Sequence, residues 1–105
     1  MAIWGVYIGE WSNNLKEGYG THFFPEGEKY EGHFKNSQYE GKGVLYYKNG
    51  DRYEGDWKNS KREGSGIMYY SVGGKSMGDF SNDEAIGKHV FLQPNGEVTV
   101  EIAEN

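Results

Sequence analysis

The chain has 105 residues, a net charge of −5 from 16 acidic and 11 basic side chains, and no cysteine. Nucleic-acid binding is disfavoured, because it needs a basic footprint, and disulfides and thiolate zinc sites are excluded. Seventeen glycines, with 35% hydrophobic residues of which nearly half are aromatic, leave few aliphatic side chains for a thick core and predict a thin layer of rings and glycine.

The opening "MAIWGVYIGEW" has no basic segment and no long apolar run. It predicts neither a signal peptide nor a spanning helix, and a soluble, cytoplasmic protein is the expectation. From Tyr7 the chain reads "YIGEWSN"; "YEGHFKN" follows from Tyr30 and "YEGDWKN" from Tyr53. A step of 23 residues aligns Gly9, Gly32, Gly55 and Gly78, then Trp11, Phe34, Trp57 and Phe80, then Asn13, Asn36, Asn59 and Asn82. Tyr7, Tyr30 and Tyr53 align too, with Ser76 in the fourth slot. Gly18, Gly41, Gly64 and Gly87 follow, and Gly20, Gly43 and Gly66 give way to His89. Such units bury their rings only against one another, so they stack into a quasi-one-dimensional array. One domain over 1–105 results, with units at about 6–28, 29–51, 52–74 and 75–97 and a capping strand at about 98–103.

Within a unit, "RYEGDW" alternates and places Tyr53, Gly55 and Trp57 on one face of a strand. "NSKRE" reads as a turn, with Asn59 suited to a left-handed position, and "SGIMYY" as the return strand. Asn49-Gly50 reads as a two-residue hairpin turn into the next unit. Links this short make neighbouring strands antiparallel. The tail "EVTVEIAEN" alternates Val98, Val100 and Ile102 and predicts a ninth strand over the last edge. Helical periodicity is absent. The fold class is therefore all-β: a single-layer antiparallel meander of four hairpins plus a C-terminal strand, roughly 40 Å long at about 4.8 Å per strand. Glycine between two aromatics lets a ring lie over bare backbone, and the pairs such as Gly41 and Gly43 let the sheet bend.

The motifs "YIGEW", "YEGHF" and "YEGDW", followed by "GYG", "GKG" and "GSG", resemble the MORN (membrane occupation and recognition nexus) repeat. The likeness runs from about Val6 to Gly96 and departs from the pattern in the fourth unit, at Ser76, Met77 and "GKH", as a terminal cap does. It implies a β-hairpin sheet and a protein-interaction scaffold, often in cytoskeletal or ciliary assemblies, with phospholipid head groups as the other proposed ligand.

Catalytic chemistry finds no signature. Glu31 and Glu54 repeat, but no carboxylate pair has a reason for split pKa values. His22, His33 and His89 lack metal-ligand spacing, and no serine sits on a nucleophile elbow. The G-x-G elements open no helix and read as strand geometry rather than phosphate loops. Neither a metal nor a cofactor is expected, and the reading is non-enzymatic.

The aromatics remain. Most rings stack internally, yet a single-layer sheet has two faces and leaves aromatic surface open. Tyr7, Trp11, Tyr30, Phe34, Tyr53 and Trp57 are the candidate partner site, centred on a groove of Tyr30, Phe34, Tyr53 and Trp57. Gly9, Gly32, Gly55 and Gly78 are structural. The expected partner is an extended segment or helix of another protein. Self-association, or β-addition at the edge from Ile3 to Trp11 or at the tail, follows the same logic. The alternative is a peripheral membrane module, with lysines at the hairpin ends (Lys35, Lys42, Lys48, Lys58, Lys61) against anionic lipid.

Overall fold

The computed structural model describes residues 5–103. They form one open antiparallel sheet of nine strands in the order of the chain. The strands are β1 (Val6–Ser12), β2 (Leu15–Phe23), β3 (Lys29–Lys35), β4 (Gln38–Tyr46), β5 (Arg52–Lys58), β6 (Lys61–Tyr69), β7 (Lys75–Ser81), β8 (Glu84–Leu92) and β9 (Val98–Ala103). Among the described residues there is no helix and no second sheet. The array measures 47 × 24 × 22 Å, its length set by the strand spacing. The expected meander and capping strand are both present, and the first strand begins at Val6; Ile3 lies outside the described residues.

Two kinds of turn alternate. Inside each unit the turn has two residues, both left-handed: Asn13-Asn14, Asn36-Ser37, Asn59-Ser60 and Asn82-Asp83, with φ between 49° and 71°. Asparagine tolerates this region, and such a turn matches the strand twist. "NSKRE" is therefore turn only at Asn59 and Ser60, and the return strand starts at Lys61, four residues before the "SGIMYY" expected from sequence. Between units the turn is longer. Tyr47 pairs with Asp51 and Gly50 N–H donates to the Tyr47 carbonyl at 3.0 Å. Gly50 has φ +99° while Asn49 has no positive φ, so Asn49-Gly50 is not the two-residue turn expected. Asn49 instead accepts from the Asp51 N–H at 2.9 Å through its side chain, an Asx arrangement that favours the wider loop.

Within the first three units the register shifts once per hairpin, between Gly9 and Trp11, Gly32 and Phe34, and Gly55 and Trp57. On the return strand a glycine with φ near +76° (Gly41, for example) sits beside the shift. A β-bulge there bends both strands over the aromatic face. Between units the register is unbroken.

The turns also lock one unit to the next. Ser37 Oγ accepts from the Lys16 N–H at 3.1 Å, and Ser60 Oγ from the Tyr39 N–H at 3.1 Å. Glu17, Glu40 and Glu63 accept from the backbone N–H of Asn36, Asn59 and Asn82 at 3.0–3.3 Å. Each carboxylate thus satisfies a turn amide that the ladder leaves free.

Candidate functional site

Tyr30 lies across its own hairpin, above the facing pair Gly32 and Gly43. A Cβ on Gly43 would run into the Tyr30 ring, so only glycine admits it. The Tyr30 hydroxyl donates to the His33 carbonyl at 3.0 Å, and Tyr7 repeats this with the Glu10 carbonyl at 2.8 Å. Tyr53 covers Gly55 and Gly66 in the same way, but its hydroxyl is buried with no hydrogen-bond partner.

The next unit's large ring then stands edge-on against each tyrosine. The series runs Trp11, Tyr7, Phe34, Tyr30, Trp57, Tyr53, Phe80, His89, with centroids 4.9–5.6 Å apart and planes at 83–89°. Edge-to-face pairs of this kind contribute about 0.5–1.5 kcal/mol each beyond area burial. Trp57 adds a hydrogen bond from Nε1 to the Gly43 carbonyl at 3.1 Å. Tyr39 stacks flat on Tyr30 at 3.7 Å, while Lys16 and Arg62 take the equivalent place as cations over Tyr7 and Tyr53 at 5.4 and 5.6 Å. Burial pushes the Tyr39 hydroxyl up to about 12, with Glu28 adding to the rise. Burial likewise lifts Tyr53 to about 12, against the opposing charge of Arg62, and holds Tyr30 well above its ordinary value.

The fourth unit keeps this geometry with different residues. Ser76 stands at the tyrosine position and is buried. His89, opposite, is buried as well, and its ring fills the space over Gly78. His89 Nε2 lies 2.9 Å from the Asp79 carbonyl, the same position in the unit as the carbonyls met by Tyr7 and Tyr30. Ser76 Oγ is paired with the Tyr70 hydroxyl at 3.0 Å. The unit that reads as degraded in sequence is a compensated exchange.

The predicted site residues fall into two groups. Tyr30, Phe34, Tyr53 and Trp57 form the buried core of the sheet. Tyr7 and Trp11, at the first edge, are accessible, and Trp11 is 56% exposed. Phe24, Tyr39 and Tyr47 pack against the core and remain partly exposed. The four glycines sit under rings: Gly9, Gly32 and Gly55 under tyrosine and Gly78 under histidine.

The opposite face holds a feature that the one-sided reading of the strands missed. Tyr19, Glu31, His33, Lys42, Val44 and Glu54 line a shallow depression of about 280 Å³ over the bare backbone of Gly32, Gly43 and Gly55. Lys42 pairs with Asp56 at 2.5 Å and His33 meets the Tyr19 ring edge-on at 5.6 Å. Beside it runs a row of one residue per strand: Phe23, Lys29, Tyr46, Arg52, Tyr69 and Lys75. Lys29 lies 4.4 Å from the Tyr46 centroid and Arg52 3.9 Å from that of Tyr69. A 23-residue comparison of outward positions, rather than of the Tyr-Gly-Trp face, carries the signal for this row.

Among the described residues no group of three or more His, Asp or Glu is placed to hold a metal ion. The family model for the MORN repeat matches residues 7–29, 30–52 and 53–75, more than half of the chain. The match ends where Ser76 begins the exchanged unit. A comparison with curated proteins finds no match. MORN repeats are non-enzymatic modules that generally serve contacts with proteins or with membranes and lipids, and this chain belongs to the MORN-repeat family.

Proposed function

We propose that the chain is a protein-interaction scaffold whose aromatic face receives an extended segment or a helix of another protein. The observation that carries this reading is the accessible row of rings on one face of a single-layer sheet. Among the described residues no second layer lies over Trp11, Tyr7, Tyr39 or Tyr47, although each leaves ring surface open. Tyrosine and tryptophan anchor interfaces because they bury large area at small entropic cost. The four buried rings beneath hold that surface rigid. A cytoskeletal or ciliary setting, which the family resemblance suggests, belongs to the same proposal, and imaging of the tagged protein tests it.

The test is capture from native extract by the wild type, Trp11→Ala and Tyr47→Ala, with folding followed by circular dichroism. Loss of the same co-purifying chain in a folded variant supports the proposal. Unchanged capture by both folded variants sinks it. Phe34→Ala and Trp57→Ala are unsuited to this purpose, because both residues are core.

A second reading rests on Lys58 and Lys61, which with Asn59, Glu63 and Asn82 line a depression of about 260 Å³ at the hairpin ends. Salt-sensitive sedimentation with anionic vesicles supports it, and loss in Lys58→Glu/Lys61→Glu assigns it to these side chains.

A further inference from the structure

β9 occupies the place of a first strand in the repeat, yet it lacks what that place requires. Thr99 stands where Tyr53 does in the third unit, Glu101 where Gly55 does, and Ala103 where Trp57 does. In the earlier units tyrosine lies over glycine, and a Cβ at the glycine position would collide with its surroundings. With neither ring nor glycine, β9 forms no socket for the return strand of another unit. It is instead a plain alternating strand. Val98, Val100 and Ile102 project from the face opposite the rings, each more than half exposed, while Thr99 and Glu101 project from the ring face.

The two edges of the sheet differ. Among the described residues no strand pairs with the outer side of β1 or of β9. β1 is blunted: its register shifts between Gly9 and Trp11, and Glu10 is tied back to the Tyr19 N–H at 3.1 Å. Such a bulge bends an edge away from an incoming strand. β9 pairs with β8 without a shift, from Leu92 and Val98 to Gly87 and Ala103. Its six residues, VTVEIA, include none of the lysine, proline or glycine that commonly protects an edge, and Glu101 is their one charge.

We propose that the outer edge of β9 receives a second copy of this chain: two ninth strands pair antiparallel about a two-fold axis at Val100 and join the two sheets into one. The side chains of β9 select both the partner and the register. About this axis Val100 faces its own copy, Val98 faces Ile102 of the second copy, and Thr99 faces Glu101 of the second copy. Apolar side chains meet apolar ones on one face, and on the other a hydroxyl meets a carboxylate. A slip of two residues, the smallest that keeps each face, sets Glu97 against Glu101 in one direction and Glu101 against its own copy in the other. Like charges directly opposite are destabilising. The strand is thus self-complementary about one centre, which an isologous interface requires. Because each chain offers one such edge, the pairing closes at two copies, whereas β9 joined to β1 would grow without limit.

The experiment is sedimentation equilibrium of the full chain, with folding followed by circular dichroism. The expected result is a monomer–dimer equilibrium that Thr99→Glu weakens and Thr99→Lys tightens, each by roughly tenfold, because the two-fold makes either change act on two cross-strand pairs with Glu101. Position 99 is exposed in the single chain, so the fold tolerates both. Disulfide trapping fixes the register, since the chain has no cysteine of its own. Facing residues of an antiparallel pair lie about 4.5–5.5 Å apart, within disulfide reach, so Val100→Cys links two copies under mild oxidation. Ile102→Cys, as exposed as Val100, stands about 14 Å from its own copy in this pairing and does not. A chain that stays monomeric up to millimolar concentration overturns the proposal. So does association indifferent to both Thr99 variants, or cross-linking of Ile102→Cys as fast as that of Val100→Cys. A dimer lost in Trp11→Ala overturns it too, because the copies then meet through the first edge or the aromatic face. A dimer unchanged in Trp11→Ala supports it, whatever that variant does to capture of another protein.

Discussion

His89 lies over Gly78 from the strand opposite to the one that carries Tyr7, Tyr30 and Tyr53 in the earlier units. Its Nε2 nitrogen reaches the Asp79 carbonyl at 2.9 Å, as the tyrosine hydroxyls reach Glu10 and His33. The ring has moved to the other strand of the hairpin, with serine left at the tyrosine position, and Phe80 packs edge-on against the imidazole at 5.3 Å. The two departures from the repeat, Ser76 and His89, are therefore energetically one change.

A double-mutant cycle tests that coupling. Ser76→Tyr alone drives a second ring into the space of His89 and destabilises by about 1–3 kcal/mol. His89→Gly alone empties it and costs about 2–4 kcal/mol. The double variant recreates the arrangement of Tyr53 and Gly66, so its loss is smaller than the sum by more than about 1 kcal/mol. Urea denaturation of the four proteins measures this, and strict additivity would show that the two sites are unrelated.

The tyrosine hydroxyls are not equivalent. Tyr30 donates a hydrogen bond to His33, whereas Tyr53 Oη is buried without a partner. Tyr30→Phe is expected to cost about 1 kcal/mol, because it leaves the His33 carbonyl unpaired and removes a hydrogen bond. Tyr53→Phe removes a buried group that has nothing to lose and is neutral or stabilising. Equal losses in urea midpoint would contradict the difference seen between the two units.

The 23-residue repeat makes much of this sheet legible in the sequence. Gly9, Gly32 and Gly55, the left-handed Asn59 and the strand through Val98, Val100 and Ile102 all follow from period and local chemistry. Each depends on a single residue or on neighbours in sequence. What stayed hidden depends on pairing across strands. Ser76 and His89 each read as decay until β7 is laid beside β8. The rings of Tyr30, Phe34, Tyr53 and Trp57 share a face by alternation, but their burial comes from bulges and from Tyr39, Leu45 and Met68 packing around them. Asn49-Gly50 misled for a local reason, since the Asn49 side chain serves the Asp51 amide.

Alkaline pH should loosen the sheet. Tyr39 and Tyr53 titrate near 12 in the folded chain against an ordinary 10.0, chiefly because burial disfavours phenolate. Below about pH 10 both states hold the protons and the stabilisation is complete. Between about 10 and 12 the unfolded chain loses protons that the folded chain keeps, so unfolding releases protons and stability falls as pH rises. Urea midpoints across this range follow that slope, and Tyr39→Phe makes it shallower. A midpoint flat from about pH 9 to 12 would show that these hydroxyls are not buried.

The two tryptophans of the ring series separate fold from surface. Trp57 is 5% exposed, meets Tyr30, Tyr39 and Tyr53 edge-on, and bonds to the Gly43 carbonyl. Its replacement by alanine empties a site shared by two units and costs about 3–5 kcal/mol. Trp11 holds the same place in the first unit but is 56% exposed and touches one tyrosine ring. Trp11→Ala is expected to cost under about 1 kcal/mol, because water already covers most of that ring. Thermal unfolding of the two variants reads the contrast directly. Because the units depend on their neighbours for burial, Trp57→Ala also broadens the transition, as the array splits where its central rings no longer meet. A sharp transition with only a small shift for Trp57→Ala would mean that the ring series does not couple the units.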